Sequence, residues 1–170
     1  MIIINKRNLF FLISVWLLST LLSAQNVTIS TPHTQLLLSV PNGGTPEQLY
    51  YGSRTSDADI RSICETARRR NAYPVYGMGY PCETALSVRH ADGNLTLQMA
   101  VIGVKETRLT KENATLTVIE LKDKVYPFFV NICYKAWQDA DVIETWTEIR
   151  HEEKKPVILN KYASSMLHLN

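Results

Sequence analysis

From Gln35 onward the apolar residues of this chain tend to recur at every second position, the spacing that places alternate side chains on one face of a β-strand. Eight segments rich in Val, Ile, Leu, Thr, Tyr and Phe follow this pattern: Gln35 to Val40, Glu47 to Gly52, Thr84 to His90, Leu95 to Val104, Ala114 to Leu121, Pro127 to Trp137, Val142 to Arg150 and Val157 to Ser164. Asn42-Gly43-Gly44 and Asp92-Gly93 lie between strands and supply the positive φ that tight turns require. The connections are mostly short, and a parallel pair needs a crossover of a dozen or more residues, so the pattern predicts antiparallel pairing. The predicted fold is an all-β antiparallel sandwich.

Two regions break the alternation. Ile60, Ile63, Cys64 and Ala67 form a helical stripe within Asp57 to Arg70, which predicts either a short helix, with Asp57 as the candidate cap, or an ordered loop. The stretch NAYPVYGMGYPCETAL follows, and its Pro74, Gly77, Gly79 and Pro81 preclude a regular strand. It reads as a shaped loop. Its tyrosines, Tyr73, Tyr76 and Tyr80, either cover one end of the sandwich or form a platform for a flat, partly apolar ligand such as a sugar ring.

The first residues follow another rule. Lys6 and Arg7 precede an apolar stretch from Leu9 to Leu22, and the small residues Ser23 and Ala24 come next. This order predicts a secretory signal in residues 1–24, cleaved after Ala24, with a retained membrane anchor as the alternative; the apolar run falls short of the ~20 residues that span a bilayer, which favours cleavage. Export to the periplasm or the extracellular space is the expected location. Removing the two basic residues takes the formal charge of the 170-residue chain from +2 to zero, so nothing favours a phosphate backbone as partner. The run Arg68-Arg69-Arg70 is the one basic cluster and, without interleaved aromatics, reads as a solvated loop. Three cysteines allow at most one internal disulfide, and Cys64 with Cys82 is the candidate pair because both lie in the irregular region. No cysteine or histidine spacing suits a metal, and no cofactor motif is present. Asn26-Val27-Thr28, Asn94-Leu95-Thr96 and Asn113-Ala114-Thr115 fit the glycosylation sequon, which matters only in a glycosylating host.

Catalytic signatures are equally sparse. Glu144 and Glu148 share one face of a strand, but a rise of ~3.3 Å per residue sets them about 13 Å apart. Retaining glycosidases need ~5 to 5.5 Å between carboxylates and inverting ones ~6.5 to 9.5 Å. Glu152 and Glu153, in a turn before Pro156, are expected to be solvated. His33, His90, His151 and His168 are scattered, with His90-Ala91-Asp92 read as a strand end entering a turn. There is no G-x-S-x-G and no H-E-x-x-H.

Specific residues add what periodicity cannot. Tyr50-Tyr51-Gly52, Tyr73-Pro74-Val75-Tyr76-Gly77, His90-Ala91-Asp92-Gly93-Asn94, Glu144-Thr145-Trp146-Thr147-Glu148-Ile149, and Lys155-Pro156-Val157-Ile158-Leu159 with Tyr162-Ala163-Ser164-Ser165 occur in this order. Together they resemble the N-terminal region of bacterial α-galactosidases of glycoside hydrolase family 36, from about Gln35 to the last residue. The resemblance implies a β-supersandwich domain over residues 25–170, preceding a (β/α)8 barrel that holds two catalytic aspartates and cleaves terminal α-galactosides. The Lys-Trp-Asp type motif of that barrel has no match here, so no catalytic residue is assigned and the chain is expected to end inside its first domain. The resemblance further implies a galactoside-containing carbohydrate, a catalytic barrel and a homo-oligomer as partners. Tyr73, Tyr76 and Tyr80 become candidates for a loop at the substrate rim, although Tyr80-Pro81-Cys82-Glu83-Thr84-Ala85 departs from the family's Glu-Pro-Ala pattern. Trp146 and Glu148 match the family as scaffold. An accessory domain is thus expected, and a free-standing carbohydrate-binding module or a nonfunctional remnant are the alternatives. An uncovered sheet edge would make the isolated chain fold weakly or self-associate.

Overall fold

The computed structural model describes residues 24–169, so the signal segment lies outside the described residues apart from Ala24. Ten antiparallel strands and one α-helix make up this part: β1 (Ala24–Ser30), β2 (Thr34–Pro41), β3 (Glu47–Ser53), α1 (Asp57–Thr66), β4 (Arg70–Asn71), β5 (Leu86–Arg89), β6 (Met99–Leu109), β7 (Ala114–Asp123), β8 (Phe128–Trp137), β9 (Val142–His151) and β10 (Ile158–Tyr162). One sheet has the order β1-β2-β3-β4 and another β6-β7-β8-β9, while β5 and β10 form a two-stranded ribbon. All eight segments marked by alternation are strands. Two strands escaped the pattern: β1 abuts the apolar leader, and β4 is only two residues long.

Alternation explains which faces meet. On β8 the side chains of Phe128, Val130, Ile132, Tyr134 and Ala136 all turn to the core. Ile132 lies opposite Ile119, and Val130 opposite Leu121. Across the sandwich stand Leu36, Leu38 and Val40 of β2, with Val27 and Ile29 of β1 opposite Leu38 and Leu36. Each such side chain contributes about 1.5–3 kcal/mol when withdrawn from water. The β2–β3 turn also ties the two large sheets together, because the Gly43 and Val101 N–H groups donate to the Val101 and Gly44 carbonyls.

β2 is buried on both faces. Gln35, Leu37 and Ser39 face away from the sandwich yet are buried, because the segment running through α1 lies across them. Gln35 Oε1 accepts from both the N–H and the hydroxyl of Thr55, and Ser39 Oγ accepts from Arg69. The predicted stripe of Ile60, Ile63, Cys64 and Ala67 is half-buried as this arrangement requires. The cap differs from expectation. Ser56, not Asp57, caps α1, in a reciprocal box with Asp59. The helix ends at Thr66, since Ala67 already has extended dihedrals, so Arg68 to Arg70 lie beyond it.

The C-terminal strand is partnered: β10 pairs with β5 from Ile158↔Arg89 to Tyr162↔Leu86. The residues after it form a strap across the sandwich. The Ala163 carbonyl accepts from the Tyr73 and Thr147 hydroxyls at 3.0 and 3.2 Å. Met166 packs on the core. At His168 the Gln48 side chain donates to the carbonyl and accepts from the N–H, at 2.6 and 3.0 Å, so one amide stands in for a neighbouring strand. Gln48→Ala strands both groups and is expected to cost about 1–3 kcal/mol. Urea denaturation measures the loss, and faster exchange of the His168 amide in the folded protein localises it.

Candidate functional site

The aromatic loop is held by backbone pairing, not by its own strand. Tyr76 N–H donates to the Leu86 carbonyl, Ala85 N–H to Pro74, and Leu97 N–H to Tyr76. Gly77 has φ +99°, and a Cβ there would sit 2.8 Å from Thr96 Cα, so the chain path demands glycine. This framework divides the three tyrosines. Tyr73 is only 2% exposed and hydrogen-bonded to Ala163, and its burial raises the hydroxyl pKa. It is a core residue and offers no stacking face, which corrects its place among the rim candidates. Tyr76 is 48% exposed and stands free on the loop with Met78. Tyr80 is half-buried and lines a pocket with Pro81, Cys82, the three arginines, Asn71 and His168.

The cysteines stand as free thiols: Cys64 half-buried on α1, Cys82 exposed, and Cys133 buried. Cys133 lies on the face of β8 turned away from the core, between its cross-strand neighbours Val118 and Trp146. Burial pushes its thiol up to about 11.

A cluster that the sequence did not reveal joins the ends of β5 and β9. His90 Nδ1 lies 2.7 Å from Glu153 Oε1, and the Ala91 N–H donates to Glu153 Oε2 at 2.9 Å. The His90 ring stacks on Tyr126 at 3.7 Å and meets Phe128 edge-on at 5.8 Å. Tyr126 in turn donates its hydroxyl to Asp92, whose carboxyl is held below the usual range by the Asn94 N–H first and this hydroxyl second. Glu153 is therefore buried, its side chain 6% exposed, contrary to the solvation expected in a turn before Pro156. Ala91 and Glu153 are 62 positions apart, so no local signal marked this contact.

The pair has the outline of an acid–histidine dyad without its chemistry. His90 Nε2 is buried and has no hydrogen-bond partner among the described residues, so no nucleophile receives it. The other buried carboxylate, Asp123, accepts from the N–H groups of Gln98, Val125 and Tyr126 and closes a turn. Glu144 accepts from Trp137, and Glu148 from Asn131 and Trp146, all on the outer face of β8 and β9. These carboxylates are engaged in holding strands and turns.

With the fold and these groups in place, residues 44–170 match the glycosyl hydrolase family 36 N-terminal domain. The chain belongs to this family. Its fold recurs in solved α-galactosidases. The Lactobacillus brevis α-galactosidase superimposes with a TM-score of 0.71 at 17% identity, over 84% of this chain and 23% of that one. A variant of AgaA from Geobacillus stearothermophilus bound to 1-deoxygalactonojirimycin gives 0.74 at 14% identity, over 83% and 24%. Another AgaA variant, bound to raffinose, gives 0.73 at 15% identity over the same shares. The chain thus spans about a quarter of the length of the structures it matches. No curated protein matches it.

Two outcomes follow for this family 36 domain. Glu153→Ala leaves the His90 ring and the Ala91 N–H unpaired in the interior and is expected to cost about 2–4 kcal/mol, read from the denaturation midpoint. In alkylation with iodoacetamide at pH 8, Cys82 is expected to react readily, while Cys133, protonated and covered, reacts only once the protein unfolds. Peptide mapping distinguishes the sites.

Proposed function

We propose that this chain serves as the non-catalytic N-terminal domain of an exported α-galactosidase, supporting a catalytic domain that cleaves terminal α-galactosides. The observation that carries this reading is the exposure of β10. Ile158 and Leu159 are consecutive, so they point to opposite sides of the strand, yet they are 47% and 43% exposed, and Tyr162 is 68% exposed. Leu167 and Leu169 are exposed as well. A strand bare on both sides suits a face that another domain covers. Family membership, and the share of the α-galactosidase chains that this fold occupies, support the same reading. The engagement of Glu153, Asp123, Glu144 and Glu148 in structural bonds supports a non-catalytic role for this domain.

The signal-like leader supports export, and the family supports assembly into an oligomer in which Tyr76 and Tyr80 approach a substrate rim. A free-standing sugar-binding module is the weaker reading, because Tyr73 is withdrawn into the core and Tyr80 faces an arginine-lined pocket. Purified protein assayed on an aryl α-galactoside is expected to give no turnover above a heat-inactivated control. Turnover overturns the proposal, and saturable binding of raffinose by the same sample favours the binding module.

A further inference from the structure

The Arg68-Arg69-Arg70 run, beyond the end of α1, borders a concavity of about 360 Å³. Its wall is completed by Asn71, the Tyr80-Pro81-Cys82 stretch and His168, and no acidic residue lines it. From Ala67 the backbone is extended, with φ −63° and ψ 144°, and Arg70 begins β4. All three arginines line the concavity. Arg69 is committed elsewhere, donating to Ser39 at 2.9 Å and Glu47 at 3.1 Å. Among the described residues neither Arg68 nor Arg70 forms an ion pair.

The rest of the wall is built firmly. The Asn71 carbonyl can only accept, so His168 Nε2, 2.9 Å away, carries the proton. The Gln48 amide fixes the backbone of the same histidine. Asn71 Oδ1 accepts from the Tyr73 N–H, which locks the far side of the turn. Two guanidinium groups with no counter-charge among the described residues focus a positive potential in a concave site, and their forked donors match the oxygens of a phosphate or sulfate.

We infer that this concavity is a binding site for a small molecule bearing a tetrahedral oxyanion, phosphate or sulfate, with Arg68 and Arg70 as its main ligands and the Tyr80 ring as a wall for the attached organic group. The inference does not depend on the α-galactosidase reading, since it rests on this domain alone.

Inorganic phosphate and sulfate are the probes, titrated calorimetrically and followed by thermal melting at constant ionic strength set with sodium chloride. Both anions also stabilise proteins in general by exclusion from their surfaces, so the comparison of variants decides. The expected result is saturable binding at millimolar concentration, weakened at least tenfold in Arg68→Gln/Arg70→Gln and retained in Arg61→Gln/Arg89→Gln, which removes the same charge elsewhere. Melting without anion checks that both variants fold. A response that does not saturate, that is equal in the two variants, or that acetate reproduces in full overturns the inference.

Discussion

The architecture depends on the double burial of β2. One face of this strand supplies Leu36, Leu38 and Val40 to the space between the two large sheets, and the other lies beneath the segment that carries α1. A strand covered on both sides cannot slip by one residue without driving Gln35 and Ser39 into the apolar layer, where Thr55 and Arg69 could no longer reach them. Its register therefore fixes both neighbours. β1 is aligned by Val27 against Leu38 and Ile29 against Leu36, and β3 follows through a bulge beside Leu37.

The two irregular parts of the chain are governed by polar contacts reaching over long stretches of sequence. His90, Ala91 and Glu153 hold the β9–β10 connection against the end of β5, and Tyr126 and Asp92 extend the same group. A carboxylate inside a protein is tolerated only where donors surround it, and here one imidazole and one backbone N–H meet that need. Tyr73 plays a comparable part for the aromatic loop. It brings a large ring into the core and directs its hydroxyl to the Ala163 carbonyl, which also receives Thr147. The loop, β9 and the C-terminal strap thus converge on a single oxygen atom.

Much of this was legible in the sequence because strand periodicity is a local property. Alternation located eight strands and the antiparallel class, and the turn at Asn42-Gly43-Gly44 joins paired strands as its residues predict, with Gly43 at φ +72°. Asp92-Gly93 also turns with positive φ at Gly93, but it links strands that pair elsewhere, β5 with β10 and β6 with β7. Composition could not show which partner a strand would choose. For the same reason the three tyrosines looked equivalent in sequence. Their different fates follow from backbone pairing at Pro74, Tyr76 and Leu86, which turns Tyr73 inward and leaves Tyr76 outside. The burial of Glu153 was hidden by its place in a turn before Pro156, since its partner is decided by the tertiary fold.

The clamp of Gln48 on His168 spans 120 residues. During synthesis at about 5–20 residues per second, Gln48 waits on the order of 6–24 s before its counterpart exists. Throughout that interval Leu36, Leu38 and Ala72 lack the strap that later crosses over them. The nascent chain must therefore keep its half-formed sandwich from competing pairings by other means. Ordering of residues 163–169 then acts as a late latch on the β1-β2-β3-β4 sheet, whose strands were synthesised much earlier.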